Sequence, residues 1–429
     1  MSAVVMDIKK NLKVSRLAET LTGSEIIKLA GEVNEKIKKG EKIFNLTIGD
    51  FNPKLFPIPK ELKQEIVHAY ENDETNYPSA EGMLELRQSV SHYLKRKSGL
   101  DYSSSQIVIA AGARPLIYSI FRAVVDGGDM VVFPVPSWNN NHYSHLTDAK
   151  PVFIEAKPEN NFMPTASDLK PWLSKATLIS LCSPQNPTGT TFTKPQLEEI
   201  CDLILEENKK RDPEQKPLYL LYDQIYWSLT HGTTKHYDPV SLRPEMRDYT
   251  IFVDGISKSL AATGVRVGWT FGPQKVVDKM KSILGHIGAW APKAEQMATA
   301  KYLLQDKQVD TFLEEMKTKV SDRLSAFYKG FTDLKKEGYK VDAIAPQAAI
   351  YLTVQFALHG EKTATGEVLA TTKDVTRYLL NEAKIALVPF YAFGTSEKSN
   401  WYRLSVGTCK TEDIDSIISG VRTALKKLY

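Results

Sequence analysis

The sequence predicts an α/β protein: a large domain with a mostly parallel seven-stranded sheet flanked by helices, followed by a smaller α+β domain. Seven short apolar, β-branched runs lead to that reading: Gln106–Ala110, Met130–Phe133, Val152–Ile154, Leu178–Cys182, Tyr219–Tyr222, Ile251–Val253 and Val267–Phe271. Each is a continuous apolar string without alternation, the pattern of strands buried on both faces. Helix-patterned segments alternate with them, as crossover connections between parallel strands require.

Beyond Gly272 the pattern changes. Val276–Leu334 is long, charged and helical, and a helix starting near Pro273 is expected to link the two domains. Ile350–Val354, Ala386–Pro389 and Tyr402–Ser405 read as strands, with a variable stretch near Gly360–Thr372 and a final helix from about Glu412. Ahead of the large sheet, the helix-like Glu25–Lys39 is expected to pack on the smaller domain. The division expected is therefore an N-terminal segment over 1–48, a large domain over 49–315 and a small domain over 316–429.

Composition narrows the function. In a chain of 429 residues, 42% hydrophobic and 25% charged residues exclude wholesale disorder and a collagen-like repeat. Lys plus Arg exceed Asp plus Glu by 55 to 51, an excess of +4 too small to argue for nucleic acid or a membrane surface. Lys36, Lys38 and Lys39 read as a solvated helix face. Cys182, Cys201 and Cys409 are odd in number and lack paired metal spacing, so neither a disulfide framework nor a metal site is expected. His142, His145 and Asp148 read as a solvated polar stretch. Met1–Thr20 is broken by Asp7, Lys9, Lys10, Lys13 and Arg16, leaving no signal-peptide core, and no apolar run reaches the ~18 residues of a membrane span. A cytoplasmic protein is expected. No glycine-rich dinucleotide fingerprint, P-loop or Gly-x-Ser-x-Gly elbow occurs.

The most informative segment runs from Asp254 to Trp269. Lys258 sits after an apolar strand and before small residues that let a bulky ligand approach the backbone; Arg266 follows eight residues on. A lysine and an arginine in one pocket supply a covalent anchor and an anion clamp. The string Ser257-Lys258…Gly264-Val265-Arg266-Val267-Gly268 resembles the cofactor-lysine signature of the class I/II aminotransferases, fold-type-I enzymes that use pyridoxal 5'-phosphate (PLP). Lys258 would then hold the cofactor as a Schiff base and move the substrate proton, with Ser257 and Arg266 beside the phosphate.

Other segments carry the same resemblance in the family's order, from about residue 25 onward. Ser183–Gly189 resembles the Asn-Pro-x-Gly loop, which implies that Asn186 meets the cofactor phenolate oxygen and the substrate carboxylate. Asp223 closes an apolar strand, where an unpaired carboxylate is costly; the resemblance pairs it with the pyridinium nitrogen, and Tyr226 with the phenolate oxygen. Ala111–Pro115 joins a strand to a helix whose free N–H groups face an anion. It resembles the phosphate turn, with Gly112, Ala113 and Arg114 in its first positions. Trp138, in Pro136-Ser137-Trp138, resembles the aromatic stacked on the cofactor ring. Arg403 lies inside an apolar strand and needs a carboxylate; the family uses it, with Gly49, for the substrate α-carboxylate. Tyr77 resembles the tyrosine that reaches the neighbouring subunit's phosphate, implying a homodimer.

Some positions depart from the family pattern. Gly255 stands where many relatives have a hydroxyl residue, and Phe390 and Tyr391 stand in a loop expected over the substrate. Arg114 matches a lysine that reaches a distal carboxylate in the bacterial aspartate-type branch, with Trp290 expected to line the same pocket from the partner subunit. An aspartate- or glutamate-type amino acid and a 2-oxo acid such as 2-oxoglutarate are the implied substrates. A PLP lyase performing β- or γ-elimination or ring closure would use nearly the same residues. A non-catalytic PLP-binding regulator usually adds a DNA-binding extension, and only about 25 residues precede the first matched helix.

Overall fold

The computed structural model describes residues 13–23 and 25–429. Positions 1–12 of the expected N-terminal segment, including Asp7, Lys9 and Lys10, lie outside the described residues. A short β1 (Phe44–Asn45) precedes β2 (Ile107–Ala110), β3 (Met130–Val135), β4 (Lys150–Glu155), β5 (Ala176–Cys182), β6 (Tyr219–Asp223), β7 (Thr250–Gly255) and β8 (Gly268–Phe271). The seven expected strands are present, their ends displaced by one or two residues. They form one sheet in the order β2-β8-β7-β6-β5-β3-β4, in which β8 alone runs antiparallel to its neighbours.

Alternate residues of the central strands feed different cores. Leu178, Leu221, Ile251 and Val253 point to one face, against the helices Ala113–Val124 and Gln274–Ile287. Ile179, Leu181, Leu220 and Phe252 point to the other, against Leu84–Ser98, Lys194–Lys210 and Lys293–Leu303. Two-sided burial explains their uninterrupted apolar sequence. Edge strand β4 departs from it: only Ile154 is buried, because nothing pairs beyond it.

The remaining strands are β9 (Val341–Ala343), β10 (Tyr351–Phe356), β11 (Ile385–Ala386), β12 (Val388–Pro389) and β13 (Trp401–Ser405). The single strand expected at Ala386–Pro389 is two, since β11 pairs with β1 while β12 pairs with β13. β12-β13-β10-β9 form an antiparallel sheet. The last helix is Ile414–Leu425, entered through a 3-10 turn at Thr411–Asp413.

The stretch Val276–Leu334 also divides. Its helices are Gln274–Ile287, Lys293–Leu303 and Asp306–Lys336, the first stopped by left-handed Gly288 (φ +64°). The expectation that the helix after Pro273 joins the domains is corrected: it buries Val276, Val277, Met280 and Leu284 against the large sheet. The joining element is Asp306–Lys336, whose Val309 and Leu313 enter one core and whose Met316, Val320, Leu324 and Phe327 enter the other. Helical period alone cannot say which core a stripe faces. Among the described residues no helix is long and apolar enough to cross a membrane.

Candidate active site

One edge of the large sheet collects the candidate residues. The strands β2, β5, β6 and β7 deliver Gly112, Asn186, Asp223 and Lys258 from their C-terminal ends, and β3 delivers Trp138. Antiparallel β8 brings Arg266 to the same edge from its N-terminal side. Ligands of open α/β sheets sit at this edge because the loops there are free to diverge from the strands.

Lys258 is half-buried, and its Nζ donates to the Gly49 carbonyl at 2.6 Å. Burial lowers its pKa to about 8; Asp50 opposes that shift, whereas Arg403, Arg114 and Arg266 reinforce it. The amine therefore titrates near neutrality, which suits a group that must act both as nucleophile and as proton carrier.

Asp223 ends β6, with Oδ1 accepting from Ile225 N at 3.0 Å. Burial raises its pKa to about 6, and no cation pairs with it among the described residues. Tyr226 follows one turn later, its hydroxyl 2.6 Å from that of Tyr351. Trp227 Nε1 donates to Asp254 Oδ2 at 2.8 Å, tying this turn to the end of β7.

Gly112 opens the helix Ala113–Val124 with φ +85°, and a Cβ there would lie 2.0 Å from Arg266 Nη2. Glycine is thus required both by the left-handed backbone and by the guanidinium packed on it. Arg266 is held by the Thr263 and Ala111 carbonyls, both at 2.7 Å. Helix N–H groups and a fixed guanidinium together form an anion cradle. Ser257 is buried beside Lys258. The departure at Gly255 has a steric cause: a Cβ would lie 2.8 Å from Gly268 Cα and 2.9 Å from Val267 O, leaving no room for a hydroxyl residue.

Arg403 comes from β13 and is 2% exposed. Its Nη1 donates to Asn186 Oδ1 at 2.9 Å and its Nη2 to Thr47 O at 2.6 Å, while Nε is buried with no partner. No carboxylate neutralises it among the described residues. A buried guanidinium held only by neutral oxygens is an expensive arrangement that an incoming carboxylate would relieve.

Of the expected residues Tyr77 lies apart, whereas Arg114 reaches Trp138. Tyr77 is 83% exposed and meets Trp290 edge-on, ring centroids 5.3 Å apart. Arg114 is exposed, its Cζ 5.2 Å from the Trp138 ring. The expectation that Phe390 and Tyr391 overlie the substrate is corrected for Phe390, which packs against Phe162 in a buried aromatic cluster. Phe393 is the ring that approaches Arg403, at 5.0 Å, and Trp138, at 6.3 Å. Tyr391 is half-buried and faces Lys373. Sequence reasoning also missed Tyr351, Asp50 and Asp254. Asp50 adjoins Gly49 and Asp254 opens the segment already singled out, but nothing marks Tyr351 among the apolar residues of its strand.

The chain matches the family described as aminotransferase class I and II over residues 41–421. The aspartate aminotransferase of Bacillus sp. (strain YM-2) is 28% identical over 389 residues, covering 90% of this chain and 93% of that protein. The probable aspartate/prephenate aminotransferase of Rickettsia felis is 28% identical over 404 residues, covering 93% of each. The solved structure of the aspartate aminotransferase from Rhizobium meliloti superposes with a TM-score of 0.88 at 25% identity, covering 97% of this chain and 100% of that one.

Proposed function

This chain belongs to the class I and II aminotransferases and is a PLP-dependent transferase of amino groups; from that premise we propose that it moves the amino group of aspartate or glutamate to a 2-oxo acid such as 2-oxoglutarate, as a homodimer. The observation that carries the reading is Arg403: buried, cationic and without a counter-ion among the described residues, beside a lysine of lowered pKa. An α-carboxylate docked there presents the neighbouring carbon to Lys258. The lyase alternative has no observation of its own, and the relatives reported above carry aminotransferase names.

The residues present suit the cofactor. Gly112, Ala113 and Arg266 would form a cradle for a phosphate, Asp223 is a carboxylate that lacks a cation among the described residues, and Trp138 offers an aromatic face. When bound, PLP supplies a carbonyl carbon for the amine and an electron-withdrawing ring. Asp223 would keep a proton on the ring nitrogen, and Tyr226 would donate to the phenolate oxygen. Asn186 and Arg403 hold the substrate α-carboxylate, with Gly49 at the same wall. Lys258 Nζ would hold the cofactor's carbonyl carbon and would accept and return the substrate α-proton. Ser257 would stand beside the phosphate.

Arg114 supports the acidic preference, since its exposed guanidinium pairs with no carboxylate among the described residues and lies over Trp138. A charge-assisted contact is worth about 1.5–3 kcal/mol. Arg114→Met should therefore lower kcat/KM for aspartate roughly ten- to a hundredfold and leave alanine unchanged. Equal losses for both donors would move Arg114 to the cofactor phosphate.

Tyr77 supports the dimer, being an exposed aromatic beside Trp290, whose loop touches the phosphate turn through Ala111 N and Ala289 O. In a dimer it serves the partner's phosphate. Mixing Lys258→Ala and Tyr77→Ala subunits should restore activity, because each heterodimer then contains one site with both residues intact. Heterodimers no more active than their parents would place Tyr77 outside the shared site.

A further inference from the structure

A pair of phenols spans the two sheets. Tyr226 belongs to the turn after β6, and Tyr351 begins β10 beside β13, the strand of Arg403. Both are buried, at 2% and 1% exposure, with their hydroxyl oxygens 2.6 Å apart. Tyr351 Oη makes no other hydrogen bond among the described residues, and its ring centroid lies 4.7 Å from Arg403 Cζ. Room for this hydroxyl comes from Gly49, where a Cβ would stand 2.8 Å from it.

Proton counting sets the direction of the bond. A phenol has one proton to donate and lone pairs to accept with. If Tyr226 gives its proton to the cofactor's phenolate oxygen, it has none left for Tyr351, and the 2.6 Å contact survives only if Tyr351 donates. A donor that is itself hydrogen-bonded as an acceptor is polarised and becomes a stronger donor.

We infer that Tyr351 is a positioning residue for the reaction, donating its proton to Tyr226 and thereby strengthening the hydrogen bond Tyr226 gives to the cofactor oxygen. The inference rests on the reading of Tyr226 given above. It joins the carboxylate grip to the cofactor, because the same Tyr351 ring packs on Arg403. Sliding Arg403 toward a bound carboxylate would carry Tyr351 with it and retune Tyr226.

The test is a pH titration of the bound cofactor's visible absorbance, which follows the proton shared between Lys258 and the phenolate oxygen. A hydrogen bond to that oxygen stabilises its negative charge and lowers the midpoint. Tyr226→Phe should raise the midpoint most, and Tyr351→Phe should raise it by about half a pH unit, a fraction of one neutral hydrogen bond. In the double variant the midpoint should equal that of Tyr226→Phe alone, since Tyr351 acts only through Tyr226. Thermal unfolding of each variant, measured alongside, identifies any loss of fold. A Tyr351→Phe midpoint equal to wild type overturns the proposal, as does a Tyr351 effect that persists without the Tyr226 hydroxyl. If Tyr226→Phe itself leaves the midpoint in place, the reading of Tyr226 fails, and the proposal falls with it.

Discussion

Replacing Lys258 with alanine should lower turnover by about four orders of magnitude, the upper range for loss of a positioned proton-transfer group. PLP should still bind, through Arg266, the Gly112 turn and Asp223, but borohydride should no longer fix it to the chain. Mass spectrometry of the reduced protein reads that directly: wild type gains the cofactor's mass and Lys258→Ala does not. The pH dependence adds a second signature. With a pKa of about 8, the amine is mostly protonated at neutral pH. The rate at which cofactor-free protein captures PLP should rise about tenfold per pH unit below that value and level off above it. A rate that keeps rising about tenfold per unit past pH 8, toward the ordinary 10.5, would mean that burial does not depress the amine. Retained turnover in Lys258→Ala would remove the assignment altogether.

Asp223→Asn should move stability and activity in opposite directions. In the cofactor-free protein the carboxyl titrates at about 6, above its ordinary value of 3.8, because burial disfavours the charge. A raised carboxyl pKa means the native state holds a proton that the unfolded state has lost. Stability therefore falls as pH rises from about 4 to 6, by up to about 3 kcal/mol, and stays low above that window. Asparagine keeps the acceptor for Ile225 N and carries no charge. The cofactor-free variant should thus be the more stable protein at pH 7, by about 1–3 kcal/mol, with the difference gone near pH 4. With PLP bound, the ring nitrogen loses its counter-ion, and kcat should fall by about 10²–10³ with a much smaller change in KM. Denaturant melts at pH 4 and 7, together with steady-state kinetics, check both halves. An asparagine variant less stable than wild type at pH 7 would show that Asp223 has a cation near it in the cofactor-free state.

The opposition between those two effects is the cost of a pre-formed site. Asp223, Arg403 and Lys258 each sit in the wrong charge environment for the cofactor-free protein: among the described residues, Asp223 has no cation and Arg403 no anion, and at Lys258 burial and three arginines outweigh Asp50. Cofactor and substrate bring the complementary charges, so binding energy is released where the fold is strained.

By itself the sequence determined the large sheet, because strands buried on both faces must be apolar throughout; seven apolar runs stand between residues 106 and 271, and all but the edge strand β4 are buried in that way. It also marked Lys258, Asp223 and Arg403, since a charge set in an apolar or small-residue segment advertises its need for a partner. Tertiary structure alone decided the rest. Strand order, with antiparallel β8 inserted between β2 and β7, brings Arg266 back against Gly112 across about 150 residues of chain, a pairing no local pattern encodes. Helical period revealed a stripe on Asp306–Lys336 but not that its two halves serve different cores. Tyr351 and Phe393 read as ordinary core aromatics, and only the pairing of β10 and β12 with β13 sets their rings beside Arg403. A charge betrays its function one residue at a time, whereas an aromatic acquires one only from the neighbours that the fold supplies.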